Sequence, residues 1–329
     1  MERTTAKKNK YEIDMCNGTI MDKLISFSLP LMLSGILQLM FNAVDIIVVG
    51  RFSGSQALAA VGSTSALINV FTNLFIGISL GANVLTARFY AAGREKEVSE
   101  TVHTAITLAL VSGIVMALVG LVFSRGALAL MGTPDDVIEL SALYMRIYFL
   151  GMPFFMLYNY GAAILRAVGD TKRPLLFLMI AGVINACLNM VLVIVFKLGV
   201  AGVAIATVIS QMISCVLVLR CLCRSESSYR LRFSELGMKG YYLKQIFSVG
   251  VPAGIQSTVI NFSNVLLQSS VNSFGSTAMA GYTAANNLLG FLYVSVNSIT
   301  QACMSFTSQN YGVGKLKRMD RVLADCMIL

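Results

Sequence analysis

The sequence predicts an all-α, polytopic membrane protein made of two parallel six-helix repeats, the second of them incomplete. Three observations carry that prediction. Hydrophobic residues are 56% of the 329 and charged residues only 12%, about half the charged share of a soluble domain. Mean hydropathy is +0.75, and a surface this poor in charge excludes a soluble enzyme, a disordered chain and an ordinary nucleic-acid binder. Windows without any Asp, Glu, Lys or Arg cover 52–87, 101–124, 147–165, 174–196, 198–219 and 245–314, each near or beyond the roughly 20 residues that cross a bilayer. Finally, three blocks recur in order at a spacing of 221 or 222 residues. Pro30 returns as Pro252, Gly54-Ser-Gln-Ala57 as Gly275-Ser-Thr-Ala278, and Tyr90-Ala-Ala-Gly93 as Tyr311-Gly-Val-Gly314.

The windows place helices near 25–49, 57–87, 103–123, 138–164, 174–196, 199–222, 246–272 and 278–309. The first runs from an uncharged stretch, 24–44, into a segment carrying one acid, Asp45. The 70-residue window 245–314 holds two helices with a break at Asn272–Thr277. A ninth helix is expected to begin near Val322. A closed barrel, the other way to satisfy the backbone in lipid, needs strands that alternate polar and apolar residues, and runs such as Leu176–Ala181 (LFLMIA) do not alternate.

Six helices separate each residue from its repeat mate, so both copies cross the membrane in the same sense, the parallel repeat of many transporters. The expected organisation is an N-terminal segment 1–24, a complete six-helix lobe 25–223, a polar linker 224–245 and a partial second lobe 246–329. A full second copy would end near residue 444, so the sequence reads as a C-terminally truncated twelve-helix protein, and this chain alone is expected to be inactive. Of the 25 Lys and Arg residues, 21 fall on the side of the N-terminus and four (Arg51, Arg125, Arg146, Lys197) on the other. Basic loops mark the cytoplasmic side. The N-terminus is therefore expected in the cytoplasm, the protein in the plasma or inner membrane, and the net charge of +9 is topological rather than a nucleic-acid footprint. The first helix is too long for a signal peptide and lacks a small-residue cleavage site. The seven cysteines sit in predicted helices or on the cytoplasmic side, which suits reduced, buried thiols rather than a disulfide framework.

Fifteen of the sixteen acids lie in tails, loops or helix ends; Asp45 is the exception. An acid at bilayer depth is costly and points to function. Ser34, Gln38, Asn42 and Asp45 share one helical face, and Asn185 and Asn189 lie at i and i+4 on the fifth helix. A polar cavity between these helices would satisfy both stripes. Two plainer readings stand beside it: Asp45 meets water at the outer end of its helix, and the Asn pair is interhelical glue. The second copy keeps a neutral stripe (Ser257, Asn261, Asn264, Gln268) but places Leu267 where the first has Asp45, which suits an ion or proton site in one lobe only. Pro30 and Pro252 interrupt their helices' hydrogen bonding and are candidate hinges. His103, the one histidine, reads as an interfacial polar residue. No HExxH motif or metal-ligand spacing is present, no cofactor is implied, and nothing suggests an enzyme.

These blocks resemble the multidrug and toxic-compound extrusion (MATE) family. The likeness rests on Pro30…Gln38…Asn42-Ala-Val-Asp45, Ala57–Gly62, Gly77–Asn83, the run Arg166–Pro174 (RAVGDTKRP), Asn185…Asn189 and Gly199–Thr207, and covers essentially the whole chain. It implies two six-helix lobes forming a V, and a secondary antiporter exporting drugs in exchange for H+ or Na+ by alternating access. It implies that Asp45, Asn185, Asn189, Tyr144 and Thr207 form the coupling-ion site, supported by the polar face of Gln38 and Asn42, with Pro30 bending the first helix. No dedicated metal site is implied beyond a coupling Na+ at Asp45. The chain looks closer to the DinF-like branch, although that branch often has Asp where Asn189 stands; the Glu that the NorM-like branch carries on helix 7 is absent. The expected cargo is small amphiphilic organic cations, the expected partners only these and the bilayer, and the expected state a monomer. A flippase for a lipid-linked saccharide, from the same wider superfamily, is the alternative; it would need Lys and Arg in the cleft, where this sequence has almost none.

Overall fold

The computed structural model of the chain describes residues 11–272 and 276–329, and they form helices with no strand among them. The order is α1 (Met21–Phe52), α2 (Ser55–Ala91), α3 (Glu95–Leu130), α4 (Asp135–Leu150), α5 (Met152–Ala167), α6 (Lys172–Asn189), a π-helical turn (Met190–Val195), α7 (Gly199–Cys223), α8 (Gly240–Asn272), α9 (Ser276–Gly312) and α10 (Leu316–Ile328). Helices α1 to α3 have 32, 37 and 36 residues. At 1.5 Å per residue they run about 50 Å, longer than a hydrocarbon core of roughly 30 Å, so their charged ends can stand beyond the lipid. Five helices among the described residues are long and apolar enough to cross a membrane, or six if the bent pair α4–α5 is one span.

The structure differs from the sequence expectation in three places. The predicted fourth helix is two, α4 and α5, bent by 48° around Gly151. Pro153 sits at the start of α5 and needs no amide donor there, and a Cβ on Gly151 would crowd Val208 of α7. The predicted fifth helix leaves the α-helical path at Asn189 and finishes as the π-helical turn. The predicted start of a ninth helix is α10, which begins earlier, at Leu316. Residues 273–275, at the expected break between α8 and α9, lie outside the described residues, as does Gly275 of the second repeat block.

The larger apolar core joins α2, α3, α4, α5 and α7 around Phe89, Tyr144, Phe149, Met156, Tyr160 and Val218. A smaller one gathers Met15, Leu24, Phe27, Leu31, Ala302, Phe306 and Val322 from the N-terminal segment, α1, α9 and α10. Helix α8 lies along α2, and α9 lies along both α1 and α2. Glycines set the α2–α8 approach. A Cβ on Gly77 would meet the backbone of Gly254, and one on Gly81 the carbonyl oxygen of Ile246. Seen from the other helix, Gly250 faces the backbone of Ile78 and Gly254 that of Leu74.

The predicted basic segments gather at one end of the bundle. Lys239 pairs with Glu100, Arg88 stacks 4.8 Å from the centroid of Tyr311, and Arg173 pairs with the buried Asp170. His103 belongs here too, but not as an interfacial residue. It is 3% exposed; one ring nitrogen lies 2.7 Å from the Ser99 carbonyl oxygen and the other accepts from the Arg232 backbone N–H at 3.0 Å. That contact docks the 224–245 segment on α3. At the opposite end Arg125 pairs with Glu139 in the open. None of the seven cysteines is in a disulfide; only Cys215 is buried, Cys187 is exposed and the other five are half-buried, so the expectation of buried thiols is met at one position.

Candidate cation site

Asp45 sits three-quarters of the way along α1, where that helix packs against α6, α7 and the π-helical turn. Gly182 makes the α1–α6 approach possible: a Cβ there would fall on the Phe41 ring. One turn further, the same faces bring Asp45 opposite Asn185 and Asn189. Asp45 is 9% exposed, so the plain reading of an acid in open water at a helix end is wrong for this fold. The Asn189 amide donates to the Asp45 carboxylate and also to the Asn185 side-chain oxygen, at 3.2 Å. Asn185 in turn donates to the Thr207 hydroxyl at 3.5 Å. Thr207 lies within hydrogen-bonding reach of Asp45 and anchors its own hydroxyl on the Val203 carbonyl at 3.0 Å.

Tyr144 and Tyr148 of α4 approach from the side, near enough to interact electrostatically with the carboxylate. Their rings lie 6.0 Å apart, and Gln211 of α7 bonds the Tyr148 hydroxyl. Five predicted residues therefore meet: Asp45, Asn185, Asn189, Tyr144 and Thr207. Two predicted residues do not join them, since Gln38 and Asn42 stand exposed on α1. The polar stripe of α1 faces two environments, and only its last member turns into the lobe. Pro30 is buried and Pro252 exposed, each inside a continuous helix. Tyr148 and Gln211 are additions. Each lies four residues after a predicted member, Tyr144 or Thr207, so the same i, i+4 rule applied to α4 and α7 would have found them.

The π-helical turn begins directly after Asn189, and π segments concentrate at functional sites. Here α7 presses on it through Gly202, whose Cβ position lies 3.2 Å from the Leu192 backbone. The resulting site is a pocket of oxygens with one carboxylate. Asn189 keeps its side-chain oxygen buried without a hydrogen-bond partner. An unpaired buried acceptor is costly, and a carboxylate beside two amide oxygens and a hydroxyl matches the hard-oxygen preference of a proton or an alkali cation. No cluster of three or more His, Cys, Asp or Glu that could hold a metal occurs among the described residues. A surface hollow of about 480 Å³ lies elsewhere, at the start of α10 among Lys315, Lys317, Arg318 and Arg321.

The MatE family profile matches residues 30–191 and 252–329, its second stretch opening at Pro252, the repeat mate of Pro30. The chain belongs to the MatE family. A probable multidrug resistance protein of Bacillus subtilis (strain 168), YoeA, is 35% identical over 306 residues, covering 90% of this chain and 66% of that protein. The multidrug export protein MepA of Staphylococcus aureus (strain NCTC 8325 / PS 47) is 23% identical, covering 92% of this chain and 67% of its own length. The chain thus spans about two thirds of the length of these curated relatives. Among solved structures, an outward-facing multidrug resistance MATE transporter of the MOP superfamily superposes with a TM-score of 0.90 at 22% identity, covering 97% of this chain and 71% of that one. At that identity the likeness speaks to the fold.

Proposed function

We propose that the protein exports small amphiphilic organic cations across the plasma or inner membrane, N-terminus in the cytoplasm, in exchange for H+ or Na+. The observation that carries this reading is the single buried carboxylate of Asp45, held by Asn189, Asn185 and Thr207. Cation binding neutralises a charge that is expensive inside the lobe. Release leaves that charge to be satisfied by water or by rearranged neighbours. Because Asp45 rides on α1 and its partners on α6 and α7, occupancy biases how α1 sits against the lobe, and α1 also packs on α9 of the second repeat. That is a differential interaction with two states, which any coupled transport requires. One charge moving through 100 mV supplies about 2.3 kcal/mol, enough for roughly a fifty-fold cargo gradient.

The multidrug names of YoeA and MepA support the cargo class. The cluster offers amide, hydroxyl and phenol groups and no Lys or Arg, which suits organic cations and disfavours a pyrophosphate-linked saccharide. The test is uphill efflux of a cationic dye by the full-length protein in energised vesicles. Asp45→Asn is expected to abolish export against a gradient while leaving the protein folded and monodisperse. Export at the unsubstituted rate by Asp45→Asn would sink the coupling role.

A further inference from the structure

The N-terminal segment does not trail from α1. Residues 11–18 run across the basic end of the bundle and are fixed to both repeats. On the first repeat, the Ile13 N–H donates to the Gly169 carbonyl at 3.2 Å. Gly169 has φ +97° and a Cβ there would lie 2.6 Å from the Ile13 oxygen, so the strap touches backbone that only glycine leaves open. Glu12 accepts from the Tyr90 hydroxyl of α2 and from Tyr229 of the 224–245 segment, both at 2.8 Å. Burial raises the pKa of Tyr229, with the Glu12 carboxylate adding to it, which keeps that phenol a donor. Tyr11 lies 5.5 Å under the Arg173 guanidinium.

On the second repeat, Asn310 of α9, fully buried, donates to the Met15 carbonyl at 3.1 Å. Lys315 donates to the Cys16 carbonyl and the Asn17 side chain, both at 2.8 Å, and Arg318 of α10 to the Gly18 carbonyl at 2.9 Å. Met15 itself is fully buried between Phe27, Phe306 and Val322. Two of the basic residues around the α10 surface hollow, Lys315 and Arg318, are therefore already engaged by the strap. Behind the strap the repeats also join directly: Ser305 of α9 donates to Asn83 of α2 at 3.1 Å, and Gln309 to the Ala167 carbonyl at 2.7 Å.

The strap is the repeat counterpart of the 224–245 segment. Each precedes the first helix of its copy, and that segment docks on α3, through Arg232 to His103 and Lys239 to Thr104 at 3.4 Å, while the strap docks on α10, which follows α9 as α3 follows α2. Each leading segment thus holds the third helix of the other copy. The difference is that the 224–245 segment is covalently continuous with both lobes, whereas the strap bridges them by hydrogen bonds and one buried methionine, contacts that can be exchanged for water.

We propose that residues 11–18 form a releasable clasp that holds the two repeats together at this end, and that the bundle opens at this end only when the strap leaves Asn310 and Lys315. The inference rests on the transport reading for its purpose, but its mechanics are testable without cargo. In a background with the seven cysteines replaced by alanine, Ser305→Cys is a reporter, because Ser305 is 2% exposed behind the strap. Its alkylation by a membrane-impermeant maleimide added from the strap side is expected to be slow in the otherwise unsubstituted protein. Glu12→Gln combined with Lys315→Ala is expected to speed it roughly tenfold, the factor for losing about one net hydrogen bond. Unchanged labelling in a folded, monodisperse variant would overturn the clasp. Should that variant misfold, a second measurement keeps Cys16 in the Ser305→Cys reporter background, the other six cysteines still replaced by alanine, and adds Gln309→Cys, since Cys16 lies 3.9 Å from the Gln309 side chain. A short bis-methanethiosulfonate cross-linker, which forms one disulfide to each of positions 16 and 309 as methanesulfinate leaves, is expected to stop opening, read as loss of reporter labelling under conditions that label the uncross-linked protein, and reversal on reduction. Full labelling after complete cross-linking would equally overturn it. Absence of dye efflux by the unsubstituted full-length protein would remove the transport reading and leave both labelling results standing.

Discussion

Helix α2 against α8 and α1 against α9 are the same junction made twice. The repeat equates α1 with α8 through Pro30 and Pro252, and α2 with α9 through Tyr90 and Tyr311. Yet the two are built differently. At α2–α8, Gly77 and Gly81 face Gly250 and Gly254, each pair spaced by four, and the backbones touch. At α1–α9 side chains stand between the helices: Phe27 meets Phe306 edge-on at 5.6 Å, and Gly35 receives a methyl of Val294. Lipid gives helices no hydrophobic reason to associate, so close approach and van der Waals contact decide. The glycine seam is fixed by backbone and has nothing to adjust. The side-chain seam has rotamers, and it belongs to α1, the helix that carries Asp45. A molecule that must hold its lobes together while letting α1 respond to a cation would put its rigid seam and its yielding seam where these lie.

That comparison is broken most severely at a glycine. Gly77→Leu drives a branched side chain into the backbone around Gly254, which cannot rotate aside. Overpacking a core costs about 1–3 kcal/mol where side chains can shift, and here none can. The expected outcome is failure to recover monodisperse protein on size-exclusion chromatography. A well-behaved Gly77→Leu protein with unchanged thermal stability would mean the α2–α8 seam is not the rigid one.

Phe306→Ala probes the other seam and is expected to be milder. It removes the edge contact with Phe27 and part of the small apolar core, at a cost of roughly 3 kcal/mol, yet leaves both backbones free to settle. The protein is expected to fold with a lowered Tm, measured by tryptophan-free thermal unfolding such as thiol-reactive dye reporting, and Phe27→Ala is expected to add little to it. Full additivity of the two would show that the rings act independently and that the seam is held elsewhere.

The sequence already contained much of this comparison, though not its meaning. Both Gly-x-x-x-Gly spacings, at 77–81 and 250–254, stand in plain view, but spacing alone does not say which helix a glycine faces. Only the repeat offset together with packing makes them partners. The membrane class and most of the helices were legible because hydropathy and long uncharged windows are properties of local sequence. The five members of the Asp45 cluster were legible because i, i+4 stripes and one misplaced charge are local as well. Gln38 and Asn42 share the stripe yet stand exposed, because a stripe shows a shared face and not what the face meets. The bend at Gly151 and the π-helical turn after Asn189 escaped because each lies against a residue of α7, Val208 in the first case and Gly202 in the second, that no local pattern pairs with it. His103 and the 11–18 strap escaped for a similar reason: Arg232, which bonds His103, and Asn310, which bonds Met15, each lie more than a hundred residues away.

The smallest expected effect is a control on the glycine argument itself. Gly62 lies inside α2, on the same helix as Gly77 and Gly81, but a Cβ there would meet nothing within 4 Å. Its φ is not in the left-handed region, so alanine fits the backbone as it stands. Glycine in a helix interior is worse than alanine by about 0.8–1 kcal/mol, mostly through the freedom it must surrender. Gly62→Ala is therefore expected to leave folding intact and raise Tm slightly. If Gly62→Ala instead damaged the protein as Gly77→Leu is expected to, α2 would need flexibility along its whole length, and the contrast between a seam fixed by backbone contact and a seam that yields would lose its physical basis.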